Sequence, residues 1–181
     1  MTPASVERKR TCAPATPAAR DTTGRHERAR DRWRRLPRSQ GLFAPFRDPW
    51  FNIDDWWFDT TGVLHGHFHG SQQHQGYHGM VHGGVIAALA DTAMTHCLFG
   101  HDICAFTAEL LVRYRRPLET DKPAEVSTCI DDTSFGQLYL LTTTICQDGL
   151  VRAEATAKFF RPDAPDTPTN QTGTTAAGPT A

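Results

Sequence analysis

Residues 82–99 of this chain read HGGVIAALADTAMTHCLF, and they indicate its architecture more clearly than any other segment. This segment is the one strongly helical run in the sequence, because alanine recurs through it with valine, isoleucine, leucine and methionine throughout. A helix that is apolar nearly all round is a buried helix. We therefore predict one central helix over 82–99 that ends at Gly100, where a C-terminal glycine is expected.

Strand patterns lie on both sides of this helix. Two strands precede it, one in an aromatic segment ending at Phe58 and one over 62–69, with a polar loop at 70–80. We predict four strands in a meander after it: 103–116, 124–130, 137–146 and 151–160. The Asp148-Gly149 pair indicates a hairpin between the last two. A single helix covers such a sheet by lying in its concave face, so we predict an α+β fold, an antiparallel sheet wrapped around one long central helix.

The charge of −1 conceals two unlike parts. Residues 1–40 carry eleven basic and four acidic side chains, a net charge of +7, whereas the rest carries eight basic and sixteen acidic, a net charge of −8. Neither the basic segment nor the Pro-, Thr- and Ala-rich end has enough branched apolar residues to offset the entropy of ordering. We predict a disordered basic arm over 1–40, a folded domain over 41–161 and a disordered tail over 162–181.

The arginines of the arm raise the question of an acidic partner, nucleic acid or lipid. We prefer a solvated tail or a short polar helix, and expect no nucleic-acid partner. The sequence contains no stretch of 18 apolar residues, so we predict no membrane span, and the arm has no apolar signal core. Its acidic residues also argue against a transit peptide. Five scattered cysteines without a CxxC pair are typical of buried thiols, and we expect a cytoplasmic protein.

The candidate catalytic residues lie at the start and in the middle of the predicted helix. His82-Gly83-Gly84 lies where loop becomes helix, and one carboxylate, Asp91, lies in the middle. A helix start has unpaired N–H groups and partial positive charge, and glycine lets a substrate oxygen come close. This combination is suited to an oxyanion hole. Asp91 is surrounded by alanines, where an unpaired charge is costly, so we expect it to have a partner or a role in catalysis.

Gly83 and Asp91 are eight residues apart, which is about 12 Å along a helix. One carbonyl group cannot lie within about 3 Å of both in a single chain. A two-fold partner with an antiparallel helix would bring Asp91 of one chain to Gly83 of the other. Catalysis by this pair therefore predicts a homodimer with two shared sites.

The sequence resembles the hotdog-fold acyl-CoA thioesterases of the phenylacetate-degradation type, in the 4-hydroxybenzoyl-CoA thioesterase superfamily. The resemblance rests on VHGG at 81–84, on Asp91 nine residues after His82, and on the strand FTAELLVRYRRP at 106–117. It implies hydrolysis of acyl-CoA to CoA and a carboxylic acid, without a cofactor. It also implies homodimers that often pair into homotetramers, with the active sites at the dimer interface.

The same resemblance implies roles for individual residues. The Gly83 N–H corresponds to the family's oxyanion donor, with His82 shaping that turn and Gly84 beside the substrate. Asp91 takes the place of the nucleophile or general base. Thr107 takes the place of a residue that orients the attacking water.

Three arginines at the end of the matched strand are candidates for the phosphates of CoA, because guanidinium forks suit phosphate oxygens: Arg113, Arg115 and Arg116. One position departs from the family. Some members have an asparagine six residues before the HGG histidine, where this chain has Gly76. His78, in the same loop, is a possible substitute as a second donor to the carbonyl, the alternative being a solvent-exposed histidine.

Two alternatives to hydrolysis stay open. One is a hotdog domain that binds acyl-CoA without hydrolysing it, as a sensor or carrier. The other is hydratase or dehydratase chemistry, although its usual Asp and His arrangement is not apparent in the sequence.

Two further motifs have a structural and a functional interpretation. His65, His67 and His69 alternate on one strand, and a His-x-His pair can ligate zinc or iron. We expect no metal, because period-two polarity is typical of an exposed strand face. The aromatic triplet 56–58 either packs in the core or forms a wall of the acyl pocket.

Overall fold

The computed structural model describes residues 19–35, 53–134 and 137–162. Two helices and eight strands make up most of this part of the chain. In chain order they are α1 (Arg25–Arg35), β1 (Ile53–Phe58), β2 (Leu64–His69), β3 (Gln75–Tyr77), β4 (Met80–Val81), α2 (Gly83–Gly100), β5 (Phe106–Tyr114), β6 (Pro123–Ser134), β7 (Leu138–Gln147) and β8 (Leu150–Phe160).

Six strands form one antiparallel sheet in the order β1-β2-β6-β7-β8-β5. Helix α2 packs against strands from across this sheet, and twelve of its eighteen residues are buried. Its mid-helix residues Leu89, Ala90, Ala93 and Met94 have no exposed surface. The predicted α+β arrangement, one buried helix and an antiparallel sheet, is confirmed.

The strands form where hydrophobic and polar residues alternate. In β2 the residues Leu64, Gly66 and Phe68 are buried, and the histidines between them are partly exposed. Strands β7 and β8 are joined by the predicted hairpin, in which Asp148 has a φ of 55° and Gly149 a φ of 70°. Two successive residues with positive φ are typical of the type I′ turn, which matches the twist of the flanking strands.

The predicted four-strand meander is wrong at its first strand. Strand β5 pairs with β8 at the edge of the sheet, whereas β6 pairs with β2 and β7. The connection that follows β5 is held beside the β3–β4 hairpin, since the Val81 N–H donates to the Leu118 carbonyl and the Thr120 N–H to the Gly79 carbonyl. This path carries the chain away from β5 before β6 begins.

The predicted loop at 70–80 is also wrong in part. It contains a 3₁₀ turn, Gln72–His74, and the two short strands β3 and β4, which form a small antiparallel pair. Gly79 has a φ of 73° in the turn between these strands, a conformation that glycine adopts at low cost.

Gly100 has a different role from the one expected. It is the last residue of α2 rather than a left-handed residue beyond it, and His101 is the C-cap. A Cβ atom at Gly100 would lie 2.2 Å from Cζ of Phe58. The position therefore requires glycine because an aromatic ring of β1 packs directly on the backbone.

Helix α1 lies inside the segment expected to be a disordered arm. It packs against α2 and β1, and its Ala29 is fully buried in the core. Disorder is therefore the wrong expectation for residues 19–35, because Ala29 is buried in the core and the His26 ring packs near that of His96. Residues 1–18, 36–52 and 163–181 lie outside the described part of the chain, and the boundaries at 40/41 and 161/162 stay predictions.

In the described residues no helix has the length and apolar character needed to cross a membrane. The cysteines differ from one another. Cys97, Cys104 and Cys129 are free thiols, and burial raises the pKa of the Cys97 thiol to about 12. Cys146 is in a disulfide, contrary to the expectation that all five are thiols.

Candidate active site at the start of the central helix

The segment before α2 is held by hydrogen bonds around a buried histidine. The imidazole Nδ1 of His74 accepts from the Ser71 N–H at 3.0 Å, and the His74 carbonyl accepts from the His82 N–H at 2.8 Å. His74 has no exposed surface. The backbone that leads into the helix is therefore fixed before the first helical residue.

The N-cap of α2 is His82, which has extended backbone torsions (φ −62°, ψ 137°). Its Nδ1 accepts the Gly84 N–H at 2.9 Å. Among the described residues no group accepts a hydrogen bond from the Gly83 N–H. The two glycines thus differ: Gly84 uses its N–H within the cap, while Gly83 keeps a free donor at the positive end of the helix dipole.

A pocket of about 510 Å³ opens beside this free donor. Its wall combines the helix start with the β3–β4 hairpin and the end of β5. It is lined by Gly76, Tyr77, Met80, Val81, His82, Gly83, Ile86, Tyr114, Arg115, Arg116, Pro117 and Leu118. The structure therefore brings four of the sequence-predicted residues together here, namely His82, Gly83, Arg115 and Arg116.

Asp91 lies outside this pocket wall, further along α2, and is partly exposed. Its Oδ1 accepts a hydrogen bond from the Thr107 hydroxyl at 2.7 Å. The expected partner of this carboxylate is thus a hydroxyl from β5, and the structure brings the two predicted residues into contact. The separation of Asp91 from Gly83 remains about 12 Å along the helix.

The three arginines have different surroundings. Arg115 forms an ion pair with Glu154 at 2.7 Å, so part of its charge is neutralised within the fold. Arg116 has one long hydrogen bond, 3.5 Å to the Val151 carbonyl, and lies in the pocket wall. Arg113 is exposed and is not part of that wall. Arg116 is therefore the arginine best placed to bind an anion in the pocket.

The position of the family's asparagine is sterically restricted. A Cβ atom at Gly76 would lie 2.9 Å from Cδ2 and 3.1 Å from Cα of His82. Gly76 thus lets the histidine pack against the hairpin. His78, the proposed substitute donor, is exposed at the hairpin turn and is not among the residues that line the pocket.

Tyr114 is the residue that sequence reasoning missed. It is the last residue of β5, it lines the pocket, and its hydroxyl donates to the Gly83 carbonyl at 2.8 Å. The tyrosine stood inside the matched strand FTAELLVRYRRP, where only the arginines were singled out. Its distance of 31 residues from Gly83 gave no sign of the contact.

The histidines of β2 have other partners. His65 contacts Asp59 at 3.2 Å and stacks on Trp57, and His67 also packs on Trp57. Hydrogen bonds from Thr61, His65 and Val63 hold the pKa of Asp59 low against the opposing effect of desolvation, which is the largest single influence. In residues 19–35, 53–134 and 137–162 no group of three potential ligands could hold a metal ion.

Two residues of the aromatic triplet, Trp56 and Phe58, lie in the core, whereas Trp57 is partly buried against His65 and His67, and none of the three lines the pocket. Trp56 and Phe58 are buried and both stack on His96 of α2. Burial, and to a smaller extent the nearby charge of His26, lower the pKa of His96 from 6.5 to about 3, so this histidine is neutral at ordinary pH. Trp56 and Phe58 therefore pack in the core and do not form a wall of this pocket.

Comparisons with known proteins agree with this architecture. Residues 78–134 match the family model described as the thioesterase superfamily. These residues contain the helix start, Asp91, Thr107 and the three arginines. No curated protein matches the chain.

Solved structures share the fold. A thioesterase superfamily protein is 25% identical with a TM-score of 0.56, the match covering 58% of this chain and 52% of that one. PaaI of Escherichia coli, from the phenylacetic acid degradation operon, is 19% identical with a TM-score of 0.52, covering 55% and 76%. A hypothetical thioesterase of Streptococcus pneumoniae, solved with coenzyme A, is 17% identical with a TM-score of 0.55, covering 62% and 85%.

The chain has the hotdog fold, which it shares with structures of phenylacetate-degradation proteins, and its resemblance to the thioesterase superfamily is confirmed over residues 78–134. It spans about half, 52%, of the length of the first of these structures.

Proposed function

We propose that this protein hydrolyses acyl-CoA thioesters to free CoA and a carboxylic acid. The observation that carries the proposal is the free N–H of Gly83 at the positive end of α2, on a residue that lines a pocket together with Arg116. The match to the thioesterase superfamily over 78–134 supports it. Further support comes from two structures of the same fold, one solved with coenzyme A and one bound to acetyl-CoA.

The proposed reaction uses two groups on opposite sides of a thioester carbonyl. The Gly83 N–H donates to the carbonyl oxygen and stabilises the negative charge that develops there. In one form of the reaction, Asp91 takes a proton from water, the water oxygen adds to the carbonyl carbon, and the C–S bond then breaks. In the other, the Asp91 carboxylate adds directly and the C–S bond breaks to leave an acyl-aspartate anhydride, which water hydrolyses in a second step to the carboxylic acid and the free carboxylate. In both, the CoA sulfur leaves and takes up a proton. Thr107, bonded to Asp91, orients the carboxylate and the water.

The proposed site is shared between two subunits. Asp91 is outside the pocket that contains Gly83 of the same chain, and about 12 Å of helix separates them. Strand β5 is an edge of the sheet and exposes the apolar side chains of Phe106, Leu111 and Tyr114, which are 66%, 44% and 54% exposed. An open apolar edge is suited to pairing with a second copy. We therefore propose a homodimer, with pairing into a homotetramer as the next level.

The phosphates of CoA are proposed to bind at the end of β5. Arg116 offers a guanidinium with a single long internal hydrogen bond, and Arg115 contributes the charge that Glu154 does not neutralise. Arg113 would reach the phosphates from the rim. Gly84 would lie near the thioester with its N–H used in the helix cap, whereas His78, exposed outside the pocket lining, is not proposed as a donor to the carbonyl.

The proposed location is the cytoplasm. The three free thiols support a reducing compartment, whereas the disulfide at Cys146 is the observation that opposes it. Cell fractionation with an antibody to the chain would decide, and recovery in an extracytoplasmic fraction would contradict the proposal.

A second candidate is an acyl-CoA-binding protein without hydrolase activity. Gly76 favours it, because the asparagine found there in some thioesterases would supply a second donor to the carbonyl. The two functions differ in one measurement. A binding protein would hold acyl-CoA tightly and release no thiol from a broad panel of acyl groups.

The test is free-thiol release from acyl-CoAs of increasing chain length and from phenylacetyl-CoA. The wild-type protein is expected to turn over at least one of them. Asp91→Asn keeps the shape and the hydrogen bond from Thr107 but removes the charge and the base, and a loss of kcat of at least about 10²-fold is expected. Equal activity of the asparagine variant would reject the role of Asp91.

A further inference from the structure

Two side chains hold one peptide unit at the start of α2. The unit joins Gly83 to Gly84. Its carbonyl oxygen accepts from the Tyr114 hydroxyl at 2.8 Å, and its N–H donates to Nδ1 of His82 at 2.9 Å. Both polar ends of a single peptide plane are therefore fixed by side chains, one from the helix cap and one from β5.

Such a restraint matters here because the two residues are glycines. Glycine has the widest choice of backbone torsions, so an unrestrained Gly-Gly pair at a helix start would sample several orientations. The plane held by the two side chains sets ψ of Gly83 and φ of Gly84. The Gly83 N–H belongs to the preceding peptide unit, so its direction relative to the helix depends on that plane.

The Tyr114 ring adds a steric contact to the hydrogen bond. A Cβ atom at Gly83 would lie 3.3 Å from both Cζ and the hydroxyl oxygen of Tyr114. The ring therefore lies close over the glycine backbone. Tyr114 also lines the same pocket as His82 and Gly83, so it contacts the peptide from the side on which a substrate would bind.

We propose that Tyr114 is a positioning residue that, together with His82, clamps the Gly83–Gly84 peptide and keeps the Gly83 N–H directed into the pocket. The effect on turnover rests on the proposed thioesterase function. The clamp itself is a statement about backbone geometry and can be judged without a substrate. His82 acts in it with Nδ1 unprotonated, since that atom accepts the hydrogen bond.

The test compares two variants that each lose one hydroxyl group. Tyr114→Phe removes only the hydroxyl that bonds to Gly83. Thr133→Val is the control, because Thr133 is exposed on β6 and is not among the residues that line the pocket. We expect Tyr114→Phe to lower kcat about tenfold with KM within about twofold, as for a lost hydrogen bond that aligns the donor. Thr133→Val should keep the wild-type kcat.

A second measurement is independent of activity. Amide hydrogen exchange of Gly84, followed by NMR, is expected to become at least about threefold faster in Tyr114→Phe and to stay unchanged in Thr133→Val. If the wild-type protein hydrolyses no thioester, the proposed function fails and exchange alone decides on the clamp. Equal kcat for the two variants of an active enzyme overturns the positioning role. Equal exchange rates overturn the clamp.

Discussion

Replacing Gly76 with asparagine should impair this protein, although asparagine stands there in some related thioesterases. The expectation follows from the packing of His82 on Gly76. An added Cβ atom would lie 2.9 Å from the His82 ring, 3.2 Å from its Cβ and 3.1 Å from its Cα. The ring can rotate away, but the Cα atom is part of the N-cap backbone and cannot move without disturbing the start of α2.

Two contributions give the size of the effect. Displacing the His82 ring breaks its hydrogen bond to the Gly84 N–H, and loss of an N-cap interaction costs about 1 kcal/mol. Relieving the close contact with the backbone costs about another 1 kcal/mol. A total of about 2 kcal/mol should lower Tm by roughly 4–8 °C for a domain of this size. Turnover should fall as well, because the same cap shapes the helix start that contains Gly83.

The assay is thermal unfolding together with thiol release, with Gly79→Asn as the control. Gly79 lies in the same hairpin with a φ of 73°, a conformation that asparagine tolerates, and nothing lies within 4 Å of a Cβ atom there. The control should therefore stay near wild type in both measurements. A Gly76→Asn protein that is as stable and as active as wild type would refute the steric reasoning.

Three further predictions concern the core, the pocket and the buried histidine. Gly100→Ala should destabilise the fold by about 1–3 kcal/mol in urea titrations, because its Cβ atom would lie 2.2 Å from Phe58, and a smaller side chain at 58 should reduce that cost. Arg116→Ala should raise KM for acyl-CoA about tenfold and leave KM for phosphate-free pantetheine thioesters unchanged, whereas Arg113→Ala, outside the pocket wall, should raise KM for acyl-CoA less. An equal effect of Arg116→Ala on both types of substrate would contradict this role. Because burial lowers the folded-state pKa of His96 to about 3, the unfolded chain takes up a proton on this histidine near pH 6.5, whereas the folded chain does not. The free energy of unfolding should therefore fall as the pH is lowered from 6.5 toward 3, by about 2 kcal/mol at pH 5, and His96→Gln should make this dependence on pH less steep.

Local patterns in the sequence predicted most elements of this fold. The apolar run at 82–99 differs from the observed helix by one residue at each end, and the Asp148-Gly149 turn lies where expected. What local patterns do not contain is strand order. The position of β5 beside β8 depends on how residues after Tyr114 are held by the hairpin, through hydrogen bonds between segments some forty residues apart.

The sequence predicted those residues of the candidate site that lie close together along the chain. His82, Gly83 and Gly84 share a turn, and their different hydrogen bonds follow from their places in the helix cap. Thr107 was assigned through the resemblance, and its contact with Asp91 agrees with that assignment. Tyr114 was missed because its hydroxyl reaches the helix start only once β5 has been placed beside α2.

The packing of helix α1 on the core was missed for a different reason. Its composition is charged, and among its described side chains the fully buried one is Ala29, which carries little hydrophobic signal. A small side chain permits close packing between helices, so its contribution comes from shape rather than from hydrophobicity. Amino-acid composition alone does not predict such contacts.

The central proposal is that Asp91 of one subunit acts with Gly83 of its partner, and subunit mixing tests it most directly. Gly83→Pro removes the N–H while suiting the first position of a helix, and His82 before it already has the extended torsions that proline requires. The added Cβ atom would lie 3.3 Å from Tyr114, so the tyrosine side chain has to shift by a few tenths of an ångström. Asp91→Asn removes the carboxylate. Each variant alone should be inactive.

Mixing the two variants under conditions of subunit exchange, verified with differently tagged chains, should restore activity. In each mixed dimer one site has both wild-type residues and the other has neither, so random assortment predicts about a quarter of the wild-type activity. A mixture that stays as inactive as its components, despite verified exchange, would contradict a site shared between subunits.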